Sequence, residues 1–220
     1  MLEDNIFKKS VVDFNKLVKY GFKREKKYYI YEKIFMNDQF KAIIKVTLNG
    51  QIDGKVYDME TNLEYTNIRL NHNGSFSSNI REEYQKILLD IDNYCFTKKL
   101  FIYNQTNRLA NYIKEKYNVQ PEFLWNGSPD AGVFRNKNTN KWFGIVMHIN
   151  KNKLDDENKD IEVINVKINV SSDTLVKNKG FYKAYHMNKK SWITIILDDT
   201  LSDKEIIKYL DISYNLVNKK

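Results

Sequence analysis

The sequence predicts an α+β fold built in two parts. Three observations carry that prediction. From Trp192 to Leu197 the side chains alternate, with Ile193, Ile195 and Leu197 on one side and Trp192, Thr194 and Ile196 on the other. That is the period of a strand with one face in a core. Ser202 and Glu205 follow at the spacing of a capping box and open a helix. Each half of the 220-residue chain also reads helix, strands, helix, with the strands grouped together. The junction falls at Phe96–Asn104, giving an N-terminal α+β extension domain at 1–100 and a second domain at 101–220.

The elements follow in order. Phe7, Val11, Phe14 and Val18 stand at helical spacing across residues 5–19, and Tyr20-Gly21 ends that helix. Strands are expected at Lys27–Phe35 and Phe40–Leu48 around the turn Asn37-Asp38, then at Lys55–Glu60 and, more loosely, at Thr66–Leu70. A polar loop at Asn71–Ser78 leads to a helix started by Asn79 and Glu82, with Tyr84, Leu88, Ile91 and Cys95 on its buried side. In the second half a helix over Asn107–Tyr117 buries Leu109, Ile113 and Tyr117. Pro121 stops it and begins the turn-rich segment Pro121–Asp130. Strands at Gly132–Arg135, Lys141–Ile149 and Ile161–Val170 are separated by polar loops, and a short helix capped by Ser172 precedes the closing strand and helix. Gln39–Val46 parallels Lys141–His148, the arrangement expected of a degenerate repeat, although identity between the halves is too low to establish one.

Hydrophobic residues at 42% and aromatics at 14% supply apolar surface for a core. No window approaches the roughly 18 apolar residues of a membrane span. The acidic start, Met-Leu-Glu-Asp-Asn, is unlike a secretory leader, and the single Cys95 excludes an internal disulfide. A cytoplasmic protein is expected. The net charge of +8 suits a polyanion partner. Lysine outnumbers arginine 31 to 5, however, and residues with A/T-rich codons are in excess, so part of the basicity reflects genome composition. The halves carry 17 basic against 14 acidic and 19 against 14, so neither is a basic tail.

The second half carries Pro121-Glu122 with Trp125, Gly132-Val133-Phe134-Arg135, Lys141-Trp142-Phe143 and Val166-Lys167-Ile168. Beyond these come Ala184-Tyr185-His186-Met187-Asn188-Lys189 with Trp192, and Ser213-Tyr214 with Leu216-Val217. In order and spacing this set resembles the MmcQ/YjbR family over roughly residues 105–218. The stretch His-Met-Asn-Lys-x-x-Trp-Ile, followed by a helix bearing Ser-Tyr-x-Leu-Val, is its specific part. The resemblance implies a CyaY-like domain, an antiparallel sheet flanked by helices, with the N-terminal half as an extension. It also implies DNA binding by likeness to a "double wing" arrangement. It brings no catalytic residues with it.

Strand alternation places Phe143, Ile145, Met147 and Ile149 on a core face, with Trp142, Gly144, Val146 and His148 opposite. Ile164, Val166, Ile168 and Val170 likewise oppose Asn165, Lys167 and Asn169. One sheet face would then show Trp142, His148, Lys167, Trp192 and Arg135. Rings beside cations stack bases and neutralise phosphates. The alternative is that Pro121–Asp130 covers the tryptophans and Lys167 is merely solvated. His186 stands beside Asn188, Lys189 and Lys190 on a turn, where it contacts a phosphate, carries a proton or simply bonds backbone. The residues expected to bind nucleic acid or a ligand are therefore Arg135, Lys141, Trp142, Lys167, His186, Asn188, Lys189, Lys190 and Trp192. No cofactor is expected. Scattered His72, His148 and His186 and the lone thiol lack metal spacing, and no nucleophile or phosphate-loop motif is present. A non-enzymatic nucleic-acid-binding module comes first. A small-molecule or partner-protein pocket around Trp125, Trp142, Trp192 and His186 is second, and an enzyme built on His186 and Lys167 last.

Overall fold

A computed structural model describes residues 2–70 and 74–219. The chain forms two compact units, Met1–Leu100 and Phe101–Lys220. Among the described residues no helix is long and apolar enough to cross a membrane.

The first unit begins with helix α1 (Leu2–Phe7), strand β1 (Ser10–Val12) and helix α2 (Phe14–Tyr20) where the sequence suggested one helix. Val11 and Val18 are 48% and 56% exposed, so the apolar spacing misled. The β-branched pair Val11-Val12 instead joins the ladder of β6 (Phe96–Lys98), and Asp13 restarts the helix by accepting the Asn15 and Lys16 N–H groups. Gly21, at φ +119°, ends α2 in the left-handed conformation that favours glycine. Strands β2 (Lys23–Arg24), β3 (Tyr28–Phe35), β4 (Phe40–Thr47) and β5 (Ile52–Asp58) form an antiparallel meander in that order. The expected strand at Thr66–Leu70 is a 3-10 turn over Thr66–Arg69. It buries Ile68 and sends Arg69 to the buried Glu3 carboxylate at 2.6 Å and to the Gly54 carbonyl, a pairing an extended edge strand would not serve. Helix α3 (Ser75–Cys95) starts a turn before Asn79 and buries Tyr84, Leu88, Ile91 and Cys95 on the sheet. Of the expected loop Asn71–Ser78, residues 71–73, His72 among them, lie outside the described residues.

The second unit runs α4 (Asn104–Tyr117), β7 (Gly132–Arg135), β8 (Trp142–Asn150), β9 (Asp160–Lys167), α5 (Ser172–Leu175), β10 (Phe181–Lys183), β11 (Trp192–Ile196) and α6 (Asp203–Asn218). Its antiparallel sheet has the order β10-β11-β9-β8-β7. Strand β10 was not expected from the sequence, β9 stops at Lys167 rather than Val170, and the cap of α5 is Ser171 rather than Ser172. Like β4 in the first unit, β8 is the middle strand of a three-stranded meander. Helix α6 opens with the Ser202–Glu205 capping box, both reciprocal bonds being made. Its Ile206, Leu210 and Val217 pack with Leu109 and Ile113 of α4 onto Phe134, Phe143, Val146, Ile164, Val166, Ile193 and Ile195. Full burial of such a side chain contributes about 1.5–3 kcal/mol, so this layer holds the unit together.

The faces of β8 differ from simple alternation. Phe134 stands opposite Gly144 but Arg135 opposite Trp142, so Phe143 is an extra residue without a partner in that ladder. Such a bulge inverts the phase of the strand beyond it. Phe143 and Val146 therefore both face the helices, while Ile145 and Met147 join Trp142 on the far side, contrary to expectation. His148 stands opposite Glu162, out of alternation with Met147, yet still borders the same hollow as Trp142. Ser213 of α6 serves the bulge: its hydroxyl donates to the Phe143 carbonyl at 2.5 Å and accepts from the Lys167 N–H at 2.8 Å.

Candidate functional site

The far face of the second sheet is neither bare nor sealed. At one end Trp192, opposite Lys167 in the ladder, is only 5% exposed and packs on Val133, Ile145 and Ala184. It faces away from the helices, but its ring is covered and offers no stacking plane. The Lys167 ammonium lies 5.5 Å from the centre of that ring, a cation–π pairing that engages it.

Trp142 is half-buried. Trp125, from the Pro121–Asp130 segment, meets it edge-on with ring centres 5.9 Å apart. The Arg135 guanidinium lies 5.8 Å from the Trp142 ring centre while bonding Glu122 at 3.2 Å and the Asn140 carbonyl at 3.1 Å. Arg135 is thus committed to fixing that segment and the neighbouring turn. Lys141 is exposed just before β8.

The loop between β10 and β11 is shaped by its own backbone. The Asn188 carboxamide oxygen accepts from Lys190 N–H at 2.9 Å, and the Asn188 carbonyl from Ser191 and Trp192 at 3.2 and 3.0 Å. This is an Asx-turn, so Asn188 builds the loop rather than standing free to bind. Lys189 and Lys190 project into solvent. His186 is exposed at φ +58°, its ring 4.1 Å from that of Tyr185. The loop is pinned to the sheet by a buried polar relay: Tyr185 N–H donates to the Thr194 hydroxyl at 2.9 Å, that hydroxyl donates to Asn165, and the Asn165 amide donates to the Tyr185 carbonyl at 2.8 Å.

Between this loop, the sheet and the Pro121–Asp130 segment lies a cleft of about 650 Å³. Trp142, Ile145, Met147 and Asn165 belong to its sheet side, Trp125 and Asp130 to the segment, Tyr185, His186 and Met187 to the loop, and Lys153 to the turn after β8. The volume lies within the ~300–1,000 Å³ usual for small-molecule sites, and an apolar wall with few polar groups is their common form. Two thioethers beside two indoles make it polarisable and adaptable. Among the described residues no cluster of three metal-ligating side chains occurs.

Of the nine residues expected to bind, the structure brings Trp142 and His186 into the cleft wall and buries Trp192 beneath its neighbours. Arg135 and Lys167 are turned onto the tryptophans. Lys141, Lys189 and Lys190 remain solvent-exposed, and Asn188 serves the loop. Sequence reasoning missed Met147, Lys153, Tyr185 and Met187 as site residues. For Asn165 there was a signal, a lone amide inside an apolar strand; for Lys153, one charge in a charged loop, there was none.

The sequence model of the YjbR family matches residues 114–216. The "Uncharacterized protein YyaQ" of Bacillus subtilis (strain 168) is 32% identical over 110 residues, spanning 49% of this chain and 93% of that protein. A crystal structure of a protein from Pseudomonas syringae, 34% identical, superposes with a TM-score of 0.50 over 52% of this chain and 99% of its own. A solution structure from the same organism, also 34% identical, covers 51% of this chain and 91% of its own at a TM-score of 0.47.

Proposed function

We propose, from the premise that the chain belongs to the YjbR family through its C-terminal half, that this half is a non-enzymatic binding module. Its site is the aromatic cleft, and its ligand is a small molecule with a flat unsaturated ring. What supports this reading is an open cleft of about 650 Å³ over the sheet face, the concave form that small-molecule sites take. Trp125, 40% exposed, and Trp142 supply ring faces and edges, and Met147 and Met187 adapt to the remainder. The test is calorimetric titration of the full chain with 2-naphthylmethanol. Saturable binding of one equivalent is expected, lost in Met147→Trp, which fills the cleft, and weakened in Trp125→Ala, an exposed position whose truncation leaves the core intact. No binding, or binding that neither substitution alters, ends this reading.

A second reading, nucleic-acid binding of the "double wing" kind, is supported by the exposed Lys189 and Lys190 on the turn built by Asn188, and by the net charge of +8. The fixed Arg135, the ring-engaged Lys167 and the buried Trp192 subtract from it. It requires a mobility shift at low salt with micromolar protein. The slope of log K against log salt should be about −0.9 per phosphate contacted on duplex DNA and shallower when Lys189 and Lys190 are replaced by alanine. Absence of any shift rules it out.

A further inference from the structure

We infer that the cleft's ligand is anionic: a planar aromatic carrying a carboxylate or phosphate, whose acidic group is held by Lys153, His186 and Lys189. The inference rests on the cleft being a ligand site and adds the chemistry of what enters it. A second hollow of about 500 Å³, with Leu154, Phe181, Tyr182 and Lys183 in its wall, adjoins the first. Lys153, Tyr185 and His186 belong to the walls of both, and Lys189 to the second. The place where an apolar ring slot opens into a more polar hollow is therefore edged by three nitrogen-bearing side chains.

The pairing of the surrounding charges points the same way. Lys151 is clamped by Glu157 at 2.6 Å and Asp155 at 3.1 Å, Lys159 reaches Glu157 at 3.2 Å, and Lys183 bonds Asp173. Among the described residues Lys153, His186 and Lys189 have no such acidic partner. The carboxylate of the cleft wall, Asp130, borders the first hollow and not the second. The local acids thus neutralise the lysines around the junction and leave those at it free, a positive potential at the mouth of an apolar slot. A molecule that buries its ring there and leaves its acid at the rim gains from both and strands no charge inside.

The test uses three probes with one ring: 2-naphthoate, 2-naphthyl phosphate and 2-naphthylmethanol, titrated calorimetrically into the full chain at low salt. Both anions are expected to bind about tenfold more tightly than the alcohol, the scale of two or three exposed ion pairs acting together. In the double variant Lys153→Gln/Lys189→Gln that advantage should vanish, both anions then binding no more tightly than the alcohol does to the same variant. The naphthoate and phosphate arms separate a carboxylate site from a phosphate site. Equal binding of all three probes, or an anion preference that survives the double variant, overturns the inference and leaves the cleft standing as a site for neutral rings. Failure of all three to bind removes the cleft reading itself. Preferential, steeply salt-dependent binding of single-stranded DNA that naphthoate does not displace also overturns the inference, in favour of a polyanion surface.

Discussion

Substituting Ser213 by alanine isolates the bond set that holds the bulge in β8. Its hydroxyl satisfies two backbone groups: the Phe143 carbonyl, which has no ladder partner, and the Lys167 N–H at the end of β9. Ser213 and Phe143 are buried, so the stranded carbonyl cannot turn to water, whereas the N–H of half-buried Lys167 recovers solvent in part. An unsatisfied buried group costs about 1–3 kcal/mol, and the removed hydroxyl leaves almost no cavity, so the pair sums to about 2–4 kcal/mol. Alanine returns roughly 0.5 kcal/mol through helix propensity. The net loss is about 1.5–3.5 kcal/mol. At about 1.5 kcal/mol per M, this moves a urea midpoint down by roughly 1–2.3 M.

The chain supplies its own reporter. Trp125, Trp142 and Trp192 are its three tryptophans and all lie in the second unit, so indole emission in the full-length protein follows that unit. A midpoint shift equivalent to less than about 0.5 kcal/mol with an unchanged slope would refute the reasoning, since a loss that small means the backbone groups find other partners.

The first unit has a complementary reporter in Cys95, buried against Leu88 and Ile91 with its Sγ 3.8 Å from the Lys16 carbonyl. Burial, helped by Asp90, pushes the thiol up to about 12. At pH 8 only about one molecule in 10⁴ then carries the thiolate. The native chain should resist a disulfide reagent such as Ellman's and react stoichiometrically in urea; prompt labelling without denaturant would contradict the packing of α2 on α3. A third expectation concerns acid. Burial raises the pKa of Asp211, but bonds from Lys116 at 2.7 Å, Tyr117 at 2.5 Å and Tyr112 at 2.8 Å outweigh it and hold the carboxyl below its usual range. The bond from Arg108 does the same for Asp203. A carboxyl with a lowered folded pKa stabilises above its unfolded pKa, and that contribution disappears as pH falls through the folded value. Tryptophan-monitored stability should therefore decline below about pH 4. Asp211→Asn should flatten the decline, and an unaltered acid limb would show that the cluster carries no linkage.

Much of the architecture was legible residue by residue because its causes are local. The Ser202–Glu205 box, the Asn136–Asn140 turn and the apolar stripes of α3 and α6 act over four or fewer positions, although α4 is ended by left-handed Asn118 and not by Pro121. The family pattern was legible too, and Ser213, part of its specific stretch, proves to be the hydroxyl that secures the bulge. Features fixed by pairing across the chain were not. One unpaired residue at Phe143 reversed the faces of β8, and β6 drew Val11-Val12 out of a would-be helix; the first depends on register with the neighbouring strand β7, the second on a partner more than 80 residues away. The cleft is the extreme case. Trp125, Met147, Lys153 and His186 lie on four separate segments, and neighbours in the fold, not in the chain, determine whether a ring is a stacking plane, like Trp125, or core, like Trp192. Side-chain identity sets what a residue is able to do, but register and packing set what it faces.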